Sequence, residues 1–272
     1  MKFAKLSARD EAAAYDAAQA VVETHRRLAR FLEVGQTLDR IDQFVALTLS
    51  RLRCRSCFLG YKVNGTPPFP SHACLSVNHC VVHGTHDYYK KPIKSGDVVK
   101  IDIGVYRDGW VGDAAWTYVF GEPTEEVRRL CEVGKESLRR GIAELQPGQP
   151  LINWARTVQD YVEGECGLHL VRGLGGHGYG RKLHAPPHVA NTVPTTAAEW
   201  PDAHTTCAPG MLLALEPMIA IGTSQAAQSR GAWPVFIADG SQSVHYEHDV
   251  LITADGPRVL TEGLDDLPDV IG

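Results

Sequence analysis

Asp102 and Asp113 stand eleven residues apart in KIDIGVYRDGWVGDAAWTYV, residues Lys100 to Val119. Apolar residues alternate with small or polar ones on both sides of Asp108-Gly109, a dipeptide that supplies the positive φ angles of a tight hairpin turn. A two-residue turn pairs Arg107 with Trp110, which sets Gly104 opposite Asp113 and Asp102 opposite Ala115. Paired residues share a face, as do residues two apart. The two carboxylates become diagonal neighbours about 7 Å apart between Cα atoms, and the Gly and Ala opposite them predict a hole between them. Uncompensated carboxylates on a mostly buried face must be protonated, paired with bases or bound to a cation, and a divalent ion is the simplest solution. The competing reading is a pair of ordinary surface aspartates, and an odd turn length would send them to opposite faces.

Further strand-borne acids strengthen the first reading. Glu216 lies in LALEPMIA and Glu247 in VHYEHDVLI, and a Glu among core residues is costly unless paired or ligated. His177 lies in GGHGYGR, where glycines let the backbone approach closely. Two Asp, two Glu and one His have the profile of a dinuclear Mn, Fe, Co or Zn centre, not of a thiolate zinc site. Bridging carboxylates would hold a water of lowered pKa, which makes hydrolysis the natural reaction. Cys54 and Cys57 form a lone CxxC and read as two unlinked thiols.

The positioning elements follow from periodicity and punctuation. Ser7-x-x-Asp10 opens an amphipathic helix to about Leu32, and Thr37 caps a second to about Leu52. Phe58 to Pro70 reads as a loop and Cys74 to His83 as a strand. Thr124-Glu125 opens a helix to about Leu145, a further helix spans Ile152 to Glu163, and Gly- and Pro-punctuated strands fill the remainder. Two helices precede strands in each half, which predicts two similar α+β halves in place of a βαβ series. The chain has 272 residues, 44% of them hydrophobic, and a formal net charge of −5. It carries no basic stripe and no apolar run of membrane-spanning length, which argues against nucleic acid as substrate and against a membrane role. Seven scattered cysteines suit a reducing compartment, so a cytoplasmic protein is expected.

The segments FPSHACLSVNHCVVHG, GDVVKIDIGVYRDGWVGD, GGHGYGRKLH, PGMLLALEPM and SVHYEHDVLIT resemble, in order and spacing, those of the type I methionine aminopeptidases of the pita-bread metallopeptidase family. The resemblance implies an α+β pita-bread fold, two pseudo-symmetric halves around a curved, mainly antiparallel sheet. Residues 1–272 would form a single catalytic domain with a helical segment, about 1–55, packed on it. It implies removal of the N-terminal methionine from peptides and nascent proteins by a bridging hydroxide. Asp102, Asp113, His177, Glu216 and Glu247 would bind two divalent ions (Co, Mn, Fe, Ni or Zn), with Asp113 and Glu247 bridging and Glu216 shuttling a proton. His83 and His184 would contact the substrate amide. Tyr61, Phe69, Cys74 and Trp233 would line the side-chain pocket. A monomer that meets nascent chains at the ribosome is expected.

Departures from the family pattern cluster around the substrate. His184 is followed by Ala185-Pro186-Pro187 in place of an acid, Leu183 stands for a Phe, Gly104 for a Thr, His245 for a Gln, and Asn78-His79 for Asn-Glu. The loops Lys62 to Pro68 and Asn191 to Pro209 are long. These changes predict a working metallopeptidase with a relaxed or redirected N-terminal preference. Two other readings stand beside it. One is a prolidase-like hydrolase, suggested by Asp102-Ile103-Gly104; the other is a non-catalytic binding protein on the same scaffold.

Overall fold

The computed structural model describes residues 6–272. Helix α1, Ala8–Ala29, starts at a capping box: the Ser7 hydroxyl accepts from the backbone N–H of Asp10, whose carboxylate accepts from that of Ser7. Thr37 caps α2, Leu38–Arg51, and Thr124 caps α3, Glu125–Ala143. Helix α4 covers Ile152–Gln159. The regular helix expected to Glu163 gives way to a π-helical turn over Asp160–Glu165. The wider turn brings the Glu163 carboxylate to the Arg172 guanidinium at 2.7 Å and to the backbone N–H of Leu170 at 3.2 Å.

The hairpin at the centre of the first half joins Val98–Arg107 to Trp110–Phe120. Its turn residues Asp108 and Gly109 have φ of 50° and 80°. Its register sets Gly104 opposite Asp113 and Asp102 opposite Ala115, as the parity argument requires. Helix α1 lies against the other face, close enough that a Cβ on Gly112 would stand 2.5 Å from the Ala17 carbonyl oxygen. The small residues Ala14, Ala17 and Ala18 permit that approach and are fully buried.

The strand expected from Cys74 to His83 is two strands, Cys74–Val77 and Cys80–Val82. Asn78, at φ 55°, breaks them. Its side chain accepts from the backbone N–H of Val98, and its carbonyl accepts from the Lys100 ammonium and the Ser243 hydroxyl. Long-range partners thus fix a conformation that the local alternation did not signal.

In the second half, Gly256–Val259, His248–Thr253, Leu212–Leu215, Gly175–Gly178 and Ala185–Ala190 form a five-stranded sheet in that order. The backbone N–H of Glu247 donates to the Ala115 carbonyl at 2.9 Å, and that of Asp113 to Asp249 Oδ2 at 2.8 Å. Thr117 exchanges two hydrogen bonds with the backbone of His245. These bonds clamp the acid-bearing segments of the two halves together. Among the described residues every strand pairing is antiparallel except Val270–Ile271 against Val119–Phe120. No helix among them is long and apolar enough to cross a membrane.

Candidate active site

Strand geometry delivers each acid to one place. Asp102 and Asp113 come from the hairpin, His177 from the strand Gly175–Gly178, and Glu216 from the Pro217 break after Leu212–Leu215. Glu247 directly precedes His248–Thr253. Glycines flank His177 because their neighbours leave no room: a Cβ on Gly176 would meet the Ala214 carbonyl oxygen at 2.2 Å, and one on Gly178 the Pro186 oxygen at 2.3 Å. His83 sits at φ 57°, a strained backbone for a non-glycine residue and one that recurs at functional sites.

All eleven candidate residues line one cavity of about 260 Å³, together with Phe58, Val63 and Leu183. At one end Phe69 meets Trp233 edge-on, with ring centroids 5.2 Å apart, and Trp233 Nε1 donates to the Pro67 carbonyl. At the other end the cavity opens past His83, His177, His184 and Glu216 into a second space of about 540 Å³ that reaches His188 and Asp202. The rings of His177 and His184 stand 4.3 Å apart, and Tyr61 Oη lies 2.6 Å from His184 Nδ1.

The acids are crowded, and no Lys or Arg among the described residues pairs with Asp102, Asp113, Glu216 or Glu247. Burial pushes all four carboxyls well above their usual range; Glu216 adds to this at Asp102, Asp102 at Asp113, and Asp113 at both glutamates. Burial holds His83 down to about 4 and His177 to about 3, with His184 adding to both. The orphaned oxygens test the fit to a metal. Asp102 Oδ1 and Asp113 Oδ1 are buried without a hydrogen-bond partner. His177 Nδ1 lies 3.1 Å from the Gly178 carbonyl, which places its proton there and turns the Nε2 lone pair towards Asp113 Oδ2 and Glu216 Oε1, each at 3.8 Å. Donor atoms of Asp113, His177 and Glu247 lie within 4.8 Å of one another, as do those of Glu216, His245 and Glu247. Asp102 stands outside both groups, opposite Cys74 across the strand register. The donor set fits divalent cations.

Three features went unread in the sequence. The hole predicted beside Gly104 is filled by Phe58, whose ring would lie 2.6 Å from a Cβ there. Asp249, fully buried, binds the backbone of Asp113; its position two residues after Glu247 was the available signal, since such strand residues share a face. His245, marked in the sequence only as standing for a Gln, reaches Glu216 at 3.2 Å. His248 is held by Thr261 and Asp265. The seven cysteines, Cys54 and Cys57 included, are free.

Crowded carboxylates with unpartnered oxygens, set against an apolar pocket walled by Phe58, Phe69 and Trp233, are the makings of a metal-dependent hydrolase. Residues 12–254 match metallopeptidase family M24, and the chain belongs to that family. It is 35% identical to a methionine aminopeptidase of Aquifex aeolicus over 251 residues, 90% of this chain and 93% of that protein. It is also 35% identical to methionine aminopeptidase 1 of Bacillus subtilis, over 90% of this chain and 94% of that one. The crystal structure of the Thermotoga maritima methionine aminopeptidase, 32% identical, superposes with a TM-score of 0.86 and covers 96% of this chain and 99% of its own. A Xaa-Pro dipeptidase from Bacillus anthracis, 20% identical with a TM-score of 0.73, covers 95% of this chain and 62% of that one and shares the fold alone. The fold is the α+β pita-bread architecture.

Proposed function

We propose that this chain removes the N-terminal methionine from peptides and nascent proteins, using two divalent ions held by Asp102, Asp113, His177, Glu216 and Glu247. The reading takes residues 1–272 as one catalytic domain, with the helical segment about 1–55 packed on it. The observation that carries it is a single cavity that joins these five residues to an apolar pocket walled by Phe69 and Trp233. The methionine aminopeptidases of Aquifex aeolicus and Bacillus subtilis support the substrate assignment.

Bound ions would polarise the scissile carbonyl and acidify a water to supply a nucleophile near neutral pH. The chain's own groups do the rest. Glu216, which lines both the cavity and the wider space beyond it, accepts a proton from the attacking water and passes it to the leaving amine. His83 and His184 are neutral because burial lowers both, so each can donate an N–H to the substrate amide as charge develops on its oxygen. The Tyr61 hydroxyl, 2.6 Å from His184 Nδ1, fixes that ring. A free substrate amine would lie beside the metal-loaded cluster, and the apolar pocket takes one side chain, so cleavage stops after one residue. The rest of the peptide leaves through the open space beside His188.

The test is release of free methionine from Met-Ala-Ser by chelator-stripped protein given Mn, Co or Zn in turn, with Ala-Pro and other N-terminal residues in parallel. Methionine release that needs added metal is the expected result. Hydrolysis of Ala-Pro in preference to Met-Ala-Ser, or no hydrolysis with any ion, overturns it.

A further inference from the structure

We infer that His245 is a sixth protein donor to the metal centre, joining Glu216 and Glu247 around one of its ions. The inference deepens the reading of the centre given above and rests on it.

The fold aims this ring at the acids. The strand Ser243–His245 pairs with Met218–Ala220 so that His245 faces Met218, two residues past Glu216. Its side chain is 2% exposed. Nε2 lies 3.2 Å from Glu216 Oε2, yet it is outside hydrogen-bonding geometry and has no other partner. A buried ring nitrogen without a partner is an exception that asks for an occupant. Two donors on one ion, each at about 2.0–2.2 Å, stand about 3.0–3.5 Å apart, which is the spacing His245 and Glu216 already have. Donor atoms of Glu216, His245 and Glu247 fall within 4.8 Å of one another, and those of Asp113, His177 and Glu247 do the same. The two groups share Glu247, and each holds one imidazole.

The chemical consequence is a centre with two nitrogen donors. Imidazole suits Zn, Co and Ni better than Mn or Mg, which prefer all-oxygen shells. This chain should therefore bind the nitrogen-seeking ions with added preference at the His245 side. A merely packed histidine would leave metal selectivity untouched.

X-ray absorption on the full-length protein loaded with two equivalents of Zn counts the imidazoles. One imidazole per Zn on average is expected, falling by half in His245→Gln. Calorimetric titration of the same two proteins should show Zn affinity at one site reduced by more than the roughly 10- to 100-fold that loss of an outer-shell partner costs, with Mn affinity changed less. Circular dichroism establishes that the variant is folded. A wild-type count of half an imidazole per Zn overturns the inference without recourse to the variant, as does a folded variant with unchanged count and Zn affinity. Wild-type protein that binds no metal overturns the centre and the sixth donor together, whereas two ions bound with one imidazole between them overturn the sixth donor alone.

Discussion

The ring of Phe58 occupies the space that a side chain at Gly104 would need: a Cβ there would lie 2.6 Å from its Cε1 and 2.9 Å from its Cζ. Gly104 faces Asp113 across the hairpin, so the missing side chain admits an aromatic wall beside the acids in place of open room for an ion. Phe58 meets Phe69 edge-on at 6.2 Å and lines the cavity. Gly104→Ala is therefore expected to overpack this wall and cost about 1–3 kcal/mol in a denaturant titration. Most of that loss should return in a Gly104→Ala, Phe58→Leu double variant, because contacting sites are not additive. Simple addition of the two single losses would show that the ring and the glycine are independent.

The same wall bears on which N-terminal residue is accepted. Phe58→Ala enlarges the pocket, and an apolar pocket gains or loses about 10- to 200-fold in kcat/KM per methylene of fit. The expected outcome is a rise of at least about tenfold in kcat/KM for an N-terminal Phe relative to Met. A ratio that stays put would assign the selectivity to Phe69 and Trp233 instead.

Tyr61 and His184 form the next testable pair. Their 2.6 Å contact holds an imidazole whose proton position would otherwise be free to change. A neutral hydrogen bond contributes about 0.5–1.5 kcal/mol, so Tyr61→Phe should lower kcat by about 2- to 10-fold with KM changed less. A loss confined to KM would mean that Tyr61 only contacts substrate.

What could be read beforehand divides along the range of the forces involved. The caps at Ser7, Thr37 and Thr124 and the hairpin register were legible because each depends on neighbouring residues: a hydroxyl three positions from an N–H, or a turn whose length is set by Asp108-Gly109. The convergence of Asp102, Asp113, His177, Glu216 and Glu247 was legible through their costly positions on core strands and through the family resemblance. Phe58 against Gly104 was not, since only the folded chain brings the loop over the hairpin. The break at Asn78 escaped for the same reason, its side chain being held by Val98 and its carbonyl by Lys100 and Ser243. His245 and Asp249 carried only a weak signal, each lying two residues from Glu247.

Charge crowding makes a prediction about metal removal. With no Lys or Arg beside the four carboxylates among the described residues, chelation leaves them repelling one another or protonated against their usual range. Asp113→Asn relieves part of this, so in chelator it should melt at least about 2 °C above wild type, a shift that corresponds to about 0.5–1 kcal/mol for a chain of this size. With Zn or Co added the order should reverse, because wild type gains binding energy that the variant has lost. Differential scanning calorimetry of both proteins, with and without metal, decides the point; a variant less stable under both conditions would show that Asp113 is structural.

Far from the site, His25 sets an acid limit on the fold. It is fully buried beneath the hairpin, with Nδ1 3.0 Å from Tyr118 Oη and Nε2 3.3 Å from the Ala114 carbonyl. Burial lowers it from 6.5 to about 4, opposed only in part by the hydrogen bond to Ala114. The unfolded chain therefore binds the proton first. His25 contributes its full stability above pH 6.5 and loses it as the pH falls from there to about 4. A depression of that size corresponds to about 3 kcal/mol. His25→Gln should flatten the fall in unfolding free energy across this window while lowering stability at pH 8, where the neutral imidazole packs and hydrogen-bonds best. Urea titrations at half-unit pH steps measure both effects. An unchanged slope in the variant would assign the acid sensitivity to other groups.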